Sequence, residues 1–199
     1  MVKKAMKKVL TAALGLSLLA AACHSGSTDS VKSAEQANDR NVDTLAKTQS
    51  VTDSSNAIPS KQDADFMVKA ASGGMLEIVL GRLAQTNGAS QGVKDFGEMM
   101  IRDHSQGGQE LKILARHKQV ILPDSISDAQ KKEHDDLAKK TGAAFDKAYI
   151  KLMIEDHKED IGEFRKAAQN ANDTAVKIFA ANTLPMLQKH LDAVEKLRQ

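Results

Sequence analysis

From Asp63 onward, apolar side chains recur every three to four residues, the spacing that gathers them on one face of a helix. The first stripe runs through Phe66, Ala70, Gly73, Glu77, Leu80 and Ala84 and predicts a helix over 63–87, closed by Asn87-Gly88. A second stripe, through Val93, Phe96, Met100, His104, Leu111 and Ala115, predicts a helix over 91–118. Pro123 then breaks the chain, and Ser127 with Gln130 has the spacing of a capping box, opening a short helix to about Lys139. Gly142 marks the next boundary. Tyr149, Met153, His157, Ile161, Phe164 and Ala168 predict a third long helix over 143–169. After a turn at Asn170-Ala171-Asn172-Asp173, the stripe Val176, Phe179, Thr183, His190, Val194 and Leu197 predicts a fourth over 174–197, with Pro185 inside it expected to kink or loosen it. No stretch reads as a strand. The pattern is all-α, a bundle of four long helices large enough to bury a core.

The connection over about 119–142 is far longer than a helical hairpin needs. Eight extended residues and a short helix reach roughly 40 Å, about the length of the bundle. Such a link permits the second and third long helices to run parallel, as in bundles with one long crossover.

Ahead of the bundle the pattern differs. Lys3, Lys4, Lys7 and Lys8 precede an uncharged, mostly apolar run from Val9 to Ala22, the layout of an export signal. At 1.5 Å per residue that run reaches about 21 Å, short of a hydrocarbon core of roughly 30 Å. Leu19-Ala20-Ala21-Ala22-Cys23 resembles a bacterial lipobox, in which the cysteine is acylated and becomes the new N-terminus, although Ala20 stands where leucine is usual. Cys23 is the only cysteine and cannot make an intramolecular disulfide, which favours lipidation over an unmodified thiol on a discarded end. Acyl chains contribute about 0.8 kcal/mol per buried CH₂, enough when multiplied to hold the chain to a membrane. His24, not Asp, follows the cysteine, which resembles the sorting pattern for the outer membrane in two-membrane bacteria. Residues 24–61 are rich in Ser, Thr, Asn, Asp and Gln without a sustained period, and read as a flexible tether. The expected organisation is a signal over 1–22, a lipidated cysteine and linker over 23–61, and a helical domain over 62–199, anchored in the cell envelope and facing the periplasm.

Charge changes the picture once the signal is set aside. Four of the 28 Lys and Arg lie in it and none of the 26 Asp and Glu, leaving 24 basic against 26 acidic side chains. With no Trp and one Tyr as well, neither the basic footprint nor the stacking platform of a nucleic-acid binder is present. Protein partners are not legible. No nucleophile–base motif, phosphate-cradling glycine loop or paired-cysteine site occurs, so the reading leans away from an enzyme.

Candidate chemistry sits on the stripes. Met100-Ile101-Arg102-Asp103-His104 recurs as Met153-Ile154-Glu155-Asp156-His157, 53 residues later. Each long helix carries a metal-capable side chain on or beside its apolar face: Glu77, His104, His157 and His190. With the crossover topology the four fall within about 6 Å of rise. Buried carboxylates and imidazoles need partners or a metal. Two readings are open: a purely structural polar layer, or a transition-metal site for iron, zinc or copper with Asp103, Asp156 or Glu110 as outer partners. Met100, Met153 and Met186 each precede a histidine by four residues, which suits Cu(I) or plain core filling. His117 and His134 read as surface residues. Gly107-Gly108 inside a helix costs roughly 1–2 kcal/mol relative to Ala, and is read as permitting close packing or bending.

Gly73-Gly74-Met75-x-Glu77, Asp103-His104, Asp156-His157, Gly142-Ala143-Ala144-Phe145-Asp146-x-Ala148-Tyr149, Thr183-Leu184-Pro185 and His190-Leu191 together resemble the domain of unknown function 4142 family of bacterial outer-membrane or periplasmic proteins, over about Phe66 to Leu197. The resemblance implies a ferritin-like four-helix bundle and no settled activity. Di-iron ferritins use two Glu-x-x-His motifs, and none occurs here. The expected role is an envelope lipoprotein with a Glu/His metal site, in envelope stress or metal and redox protection; the alternative is a non-catalytic scaffold or interaction protein with a structural polar core.

Overall fold

The computed structural model describes residues 29–48 and 60–198. The expected export signal, Cys23 and tether residues 24–28 and 49–59 lie outside the described residues. Among the described residues six helices follow one another: α1 (Ser30–Thr48), α2 (Lys61–Asn87), α3 (Gln91–Lys118), α4 (Asp128–Ala138), α5 (Gly142–Asn170) and α6 (Thr174–Leu197). Among the described residues there is no strand, only an isolated bridge between Gly88 and Gly142.

Helix starts follow from capping side chains, which satisfy N–H groups that the first turn leaves without a partner. Ser60 accepts from the Asp63 amide, Ser90 from Val93, and Asp173 from Ala175 and Val176. Ser127 and Gln130 make both halves of the capping box at α4. Helix α3 stops where Gln119 turns to φ 56°, its N–H reaching the Ala115 and Arg116 carbonyls.

Two sets of contacts fix the helix directions. At one end Asn87, closing α2, donates to the Lys140 carbonyl at 2.8 Å, and the Ala89 and Ser90 amides donate to Asp146 in the first turns of α5. At the other, Asp63 in the first turn of α2 accepts from the Asn172 and Asp173 amides, and Lys118 at the end of α3 pairs with Asp173 at 2.6 Å. Helices α3 and α5 therefore run parallel, with α2 and α6 opposed to them. The connection between α3 and α5 carries the chain back along the bundle, and α4 within it packs on α2 and α5. There the Ser72 hydroxyl donates to Gln130, and Leu137 is buried.

The core between the four long helices is closely filled below the polar layer. Phe145 stacks on Tyr149 at 5.5 Å, and Phe96 meets Tyr149 edge-on at 6.1 Å. Helices α2 and α3 touch through glycine: a Cβ on Gly97 would stand 2.7 Å from the Gly81 carbonyl oxygen and 2.8 Å from the Ala84 Cβ. Backbone cannot yield as a side-chain tip can, so Gly97→Val is expected to lower stability by about 1–3 kcal/mol, read as a lower urea midpoint.

One sequence expectation is corrected. Ser30–Thr48, read as part of a flexible tether, is helix α1. It packs on α2, with Ala34 buried, and polar contacts tie it to the crossover. Asn38 is buried; its amide donates to the Ile121 carbonyl at 2.9 Å and accepts from the Ile121 amide at 2.8 Å. Asp29 and Ser30 add bonds to Asp128 and Asp124. Helix α6 is continuous through Pro185, where the Ala181 carbonyl loses its usual donor.

Candidate metal centre

Glu77 stands midway along α2, 0% exposed, facing histidines from α3, α5 and α6. His104 Nδ1 lies 2.9 Å from Glu77 Oε2, and His157 Nε2 lies 3.2 Å from Glu77 Oε1. The repeated Met-Ile-x-Asp-His segments thus bring two imidazoles from parallel helices onto one carboxyl group. His190 completes the group: its ring centroid is 5.2 Å from that of His104 and 5.4 Å from that of His157.

Ring orientation follows from the outer partners. His157 Nδ1 is 2.9 Å from the Met153 carbonyl, which can only accept, so that nitrogen carries a proton and a neutral ring has its lone pair on Nε2. His190 Nε2 is 2.9 Å from Asp103 Oδ2, and a proton there leaves the Nδ1 lone pair free. Arg102 in turn pairs with Asp103 at 2.7 Å. Ligand nitrogens of His104, His157 and His190 lie within 4.8 Å of one another, as do ligand atoms of Glu77, Asp156 and His157.

The inward-facing atoms of this layer lack hydrogen bonds. Among the described residues, the buried side-chain atoms without a hydrogen-bond partner are Glu77 Oε1 and Oε2, His104 Nε2, Tyr149 Oη, Asp156 Oδ2, His157 Nε2 and His190 Nδ1. The Glu77 contacts are short in distance yet not aligned as hydrogen bonds. Each such atom costs about 1–3 kcal/mol, so seven in one place call for a partner the chain does not supply.

Burial also sets the protonation states. It holds the Glu77 carboxyl well above the usual carboxylate range. It pulls His104 down to about 4 against the opposing pull of Asp160 and Asp103. Burial, with the neighbouring histidines, takes His157 down to about 3; burial, partly offset by Asp103, takes His190 to about 4. Asp156 and Asp160 are pushed up by burial and then by Glu77, to about 9 and about 8. Tyr149 is raised by burial, then by Glu77 and Asp156. For Asp103 burial acts upward, but Arg102 and His190 outweigh it and the net shift is down. Without a cation the centre is therefore a set of neutral imidazoles and protonated acids. Inward lone pairs on neutral imidazole with an adjacent carboxyl are a fitting donor set for a first-row transition metal. A tetrahedral site needs nitrogens about 3.3 Å apart from metal–nitrogen bonds of 2.0–2.1 Å, so small side-chain movements would close it.

Glu77, His104, His157 and His190 converge, and Asp103 and Asp156 stand beside them. Glu110 does not: it is exposed and accepts from Gln106 on its own helix at 3.2 Å, because six residues beyond His104 is about two-thirds of the way round the helix. Asp160 was not among the expected site residues. Its carboxylate lies beside Gly73 and lines a cavity together with Glu77 and His104. The signal was there, since 153, 157, 160 and 164 form a 4-3-4 stripe. Met100 and Met153 are fully buried in the core, and Met186 is half-buried on the cavity wall. His117 is exposed, and His134 contacts Asp135.

Residues 47–197 match the family model described as Domain of unknown function (DUF4142). No curated protein and no solved structure gives a match.

Proposed function

The chain belongs to the DUF4142 family, and we propose that it is a metal-binding, ferritin-like helical bundle displayed in the bacterial cell envelope. The single observation that carries this reading is the layer of unpaired buried atoms on Glu77, His104, His157 and His190. A layer kept only to fix helix register would present matched donors and acceptors, which disfavours the scaffold reading. Ferritin-like describes the topology, in which α3 and α5 run parallel and one long crossover joins them. Three imidazoles gather at one place, with Glu77 against two of them and Asp156 beside Glu77 and His157, and no Glu-x-x-His pair occurs, so the centre suits one ion of iron, zinc or copper.

Glu77, once deprotonated, and His157, through its Nε2 lone pair, would hold the ion together with His104 and His190. Asp103 holds the His190 ring at the angle that directs Nδ1 inward. A metal bound there would supply Lewis-acid or redox chemistry in a largely buried site, consistent with sequestration or redox protection. The lysine-rich start, the apolar run and Cys23 support export and lipid anchoring, with the bundle facing the periplasm at the outer membrane.

Metal analysis of the purified full chain, before and after reloading, tests the reading. One tightly held ion per chain is expected. Asp103→Asn is expected to weaken that ion by about 10–100-fold, the range for an outer partner of a metal-bound histidine. Wild-type protein that neither retains nor takes up iron, zinc or copper leaves the scaffold alternative in place.

A further inference from the structure

A cavity of about 200 Å³ lies between the metal centre and the crossover end of the bundle. Its floor is Glu77 and His104, and its walls are mostly apolar, among them Leu111, Phe164, Phe179 and Leu187, with Asp160 and Thr183 as polar members. It exists because the helices carry almost nothing there: Ala70, Ala71 and Gly74 on α2 face it, as do Gly107 and Gly108 on α3. The two glycines were read as permitting close packing or bending, and no close packing occurs at either. A Cβ on either would meet nothing within 4 Å. Two glycines inside a helix lower its stability relative to Ala, and here no helix contact compensates for them.

The floor points to an occupant. His104 is 7% exposed, and its Nε2 has no hydrogen-bond partner; Glu77 is fully buried with both oxygens unmatched. Lys112, exposed on α3, and Asp160 on α5 both stand on the cavity wall, so the charge that favours an anion here is that of the metal. A dry engineered cavity of about 150 Å³ holds benzene, so about 200 Å³ takes a ring or short chain with one head group.

We propose that this cavity is a binding pocket for a small organic monoanion, with its apolar body between α2, α3 and α6 and its single head group at the Glu77–His104 face of the metal centre. The proposal rests on the metal reading for the head group and on the glycine-lined space for the body. The two parts can fail separately.

The test uses the full chain loaded with Co(II), whose visible spectrum reports its ligands, titrated with benzoate and with acetate. Benzoate is expected to change the spectrum saturably and to bind at least tenfold tighter than acetate. Gly108→Leu, which fills the space, is expected to keep the Co(II) stoichiometry and lose benzoate affinity at least tenfold. Gly107→Leu serves as a second variant. In parallel, fluorine NMR of 4-fluorobenzoate follows binding to the metal-free chain. Binding there that Gly108→Leu abolishes, in a protein that takes up no Co(II), supports the pocket and sinks only the metal reading. Benzoate binding no tighter than acetate, equal binding in wild type and Gly108→Leu, or binding to neither form overturns the pocket.

Discussion

His157→Ala is expected to lower the metal content of the purified protein from one ion per chain to below about a tenth, with affinity falling by more than the 10–100-fold typical of losing an outer partner. His157 is the member of the group with the least freedom. It is 0% exposed, and its Nδ1 is tied to the Met153 carbonyl, so only Nε2 can reach an ion. Truncation removes that ligand outright and leaves Glu77 with a single imidazole at short range, His104 at 2.9 Å. Far-UV circular dichroism should show that the variant still folds, because the change also removes an unmatched buried nitrogen. His117→Ala, on the exposed face of α3, should keep its metal. A His157→Ala protein that binds as much metal as wild type, at similar affinity, would remove this residue from the centre.

The second large effect is on stability. Metal-free protein is expected to become less stable as pH rises from about 6.5 to 8.5. Glu77, Asp156 and Asp160 hold their protons when folded to pH values well above those of an unfolded chain. A group with a raised folded pKa stabilises fully below its unfolded pKa, and that stability is lost as pH climbs toward the folded value. The histidines work the other way. Their folded values near 3 to 4 stabilise above pH 6.5, and that contribution disappears as pH falls through 4. Between about 4 and 6.5 the two sets oppose each other; above 6.5 the carboxyls act alone. One retained proton changes stability by about 1.4 kcal/mol per pH unit, so about 3 kcal/mol is lost over two units for each acid that stays fully protonated. Urea unfolding at the two pH values in the presence of chelator reads this directly. Asp160→Asn should flatten the slope, and metal loading should abolish or reverse it, because a cation favours the ionised carboxyl. A flat profile in the metal-free wild type would mean that these acids ionise without penalty, and the neutral apo centre would be wrong.

The helical pattern was legible where apolar periodicity and capping residues agreed. Ser127 with Gln130 marked α4, and Asn87-Gly88 and Asp173 marked the turns, because these signals are local. The length of the 119–142 connection permitted a parallel course of α3 and α5 without requiring it, and the end contacts of the helices establish it. Helix α1 escaped because its anchor is a buried asparagine bonded to the Ile121 backbone, 83 residues away. Composition cannot register a polar side chain whose partner is a distant peptide group. Glu110 was misread because six residues along a helix turn it about 240° away from His104. Asp160 was missed because Ile161 was taken as the stripe residue next to it. Gly107-Gly108 could be noticed but not explained, since an empty volume depends on four helices at once and no single segment encodes it.

X-ray absorption of the metal-loaded full chain addresses the central claim most directly. The account predicts an inner shell near 2.0–2.1 Å with outer-shell scattering from three imidazole rings, and one carboxylate oxygen alongside them. A spectrum with oxygen or water ligands alone, and no imidazole scattering, would contradict it.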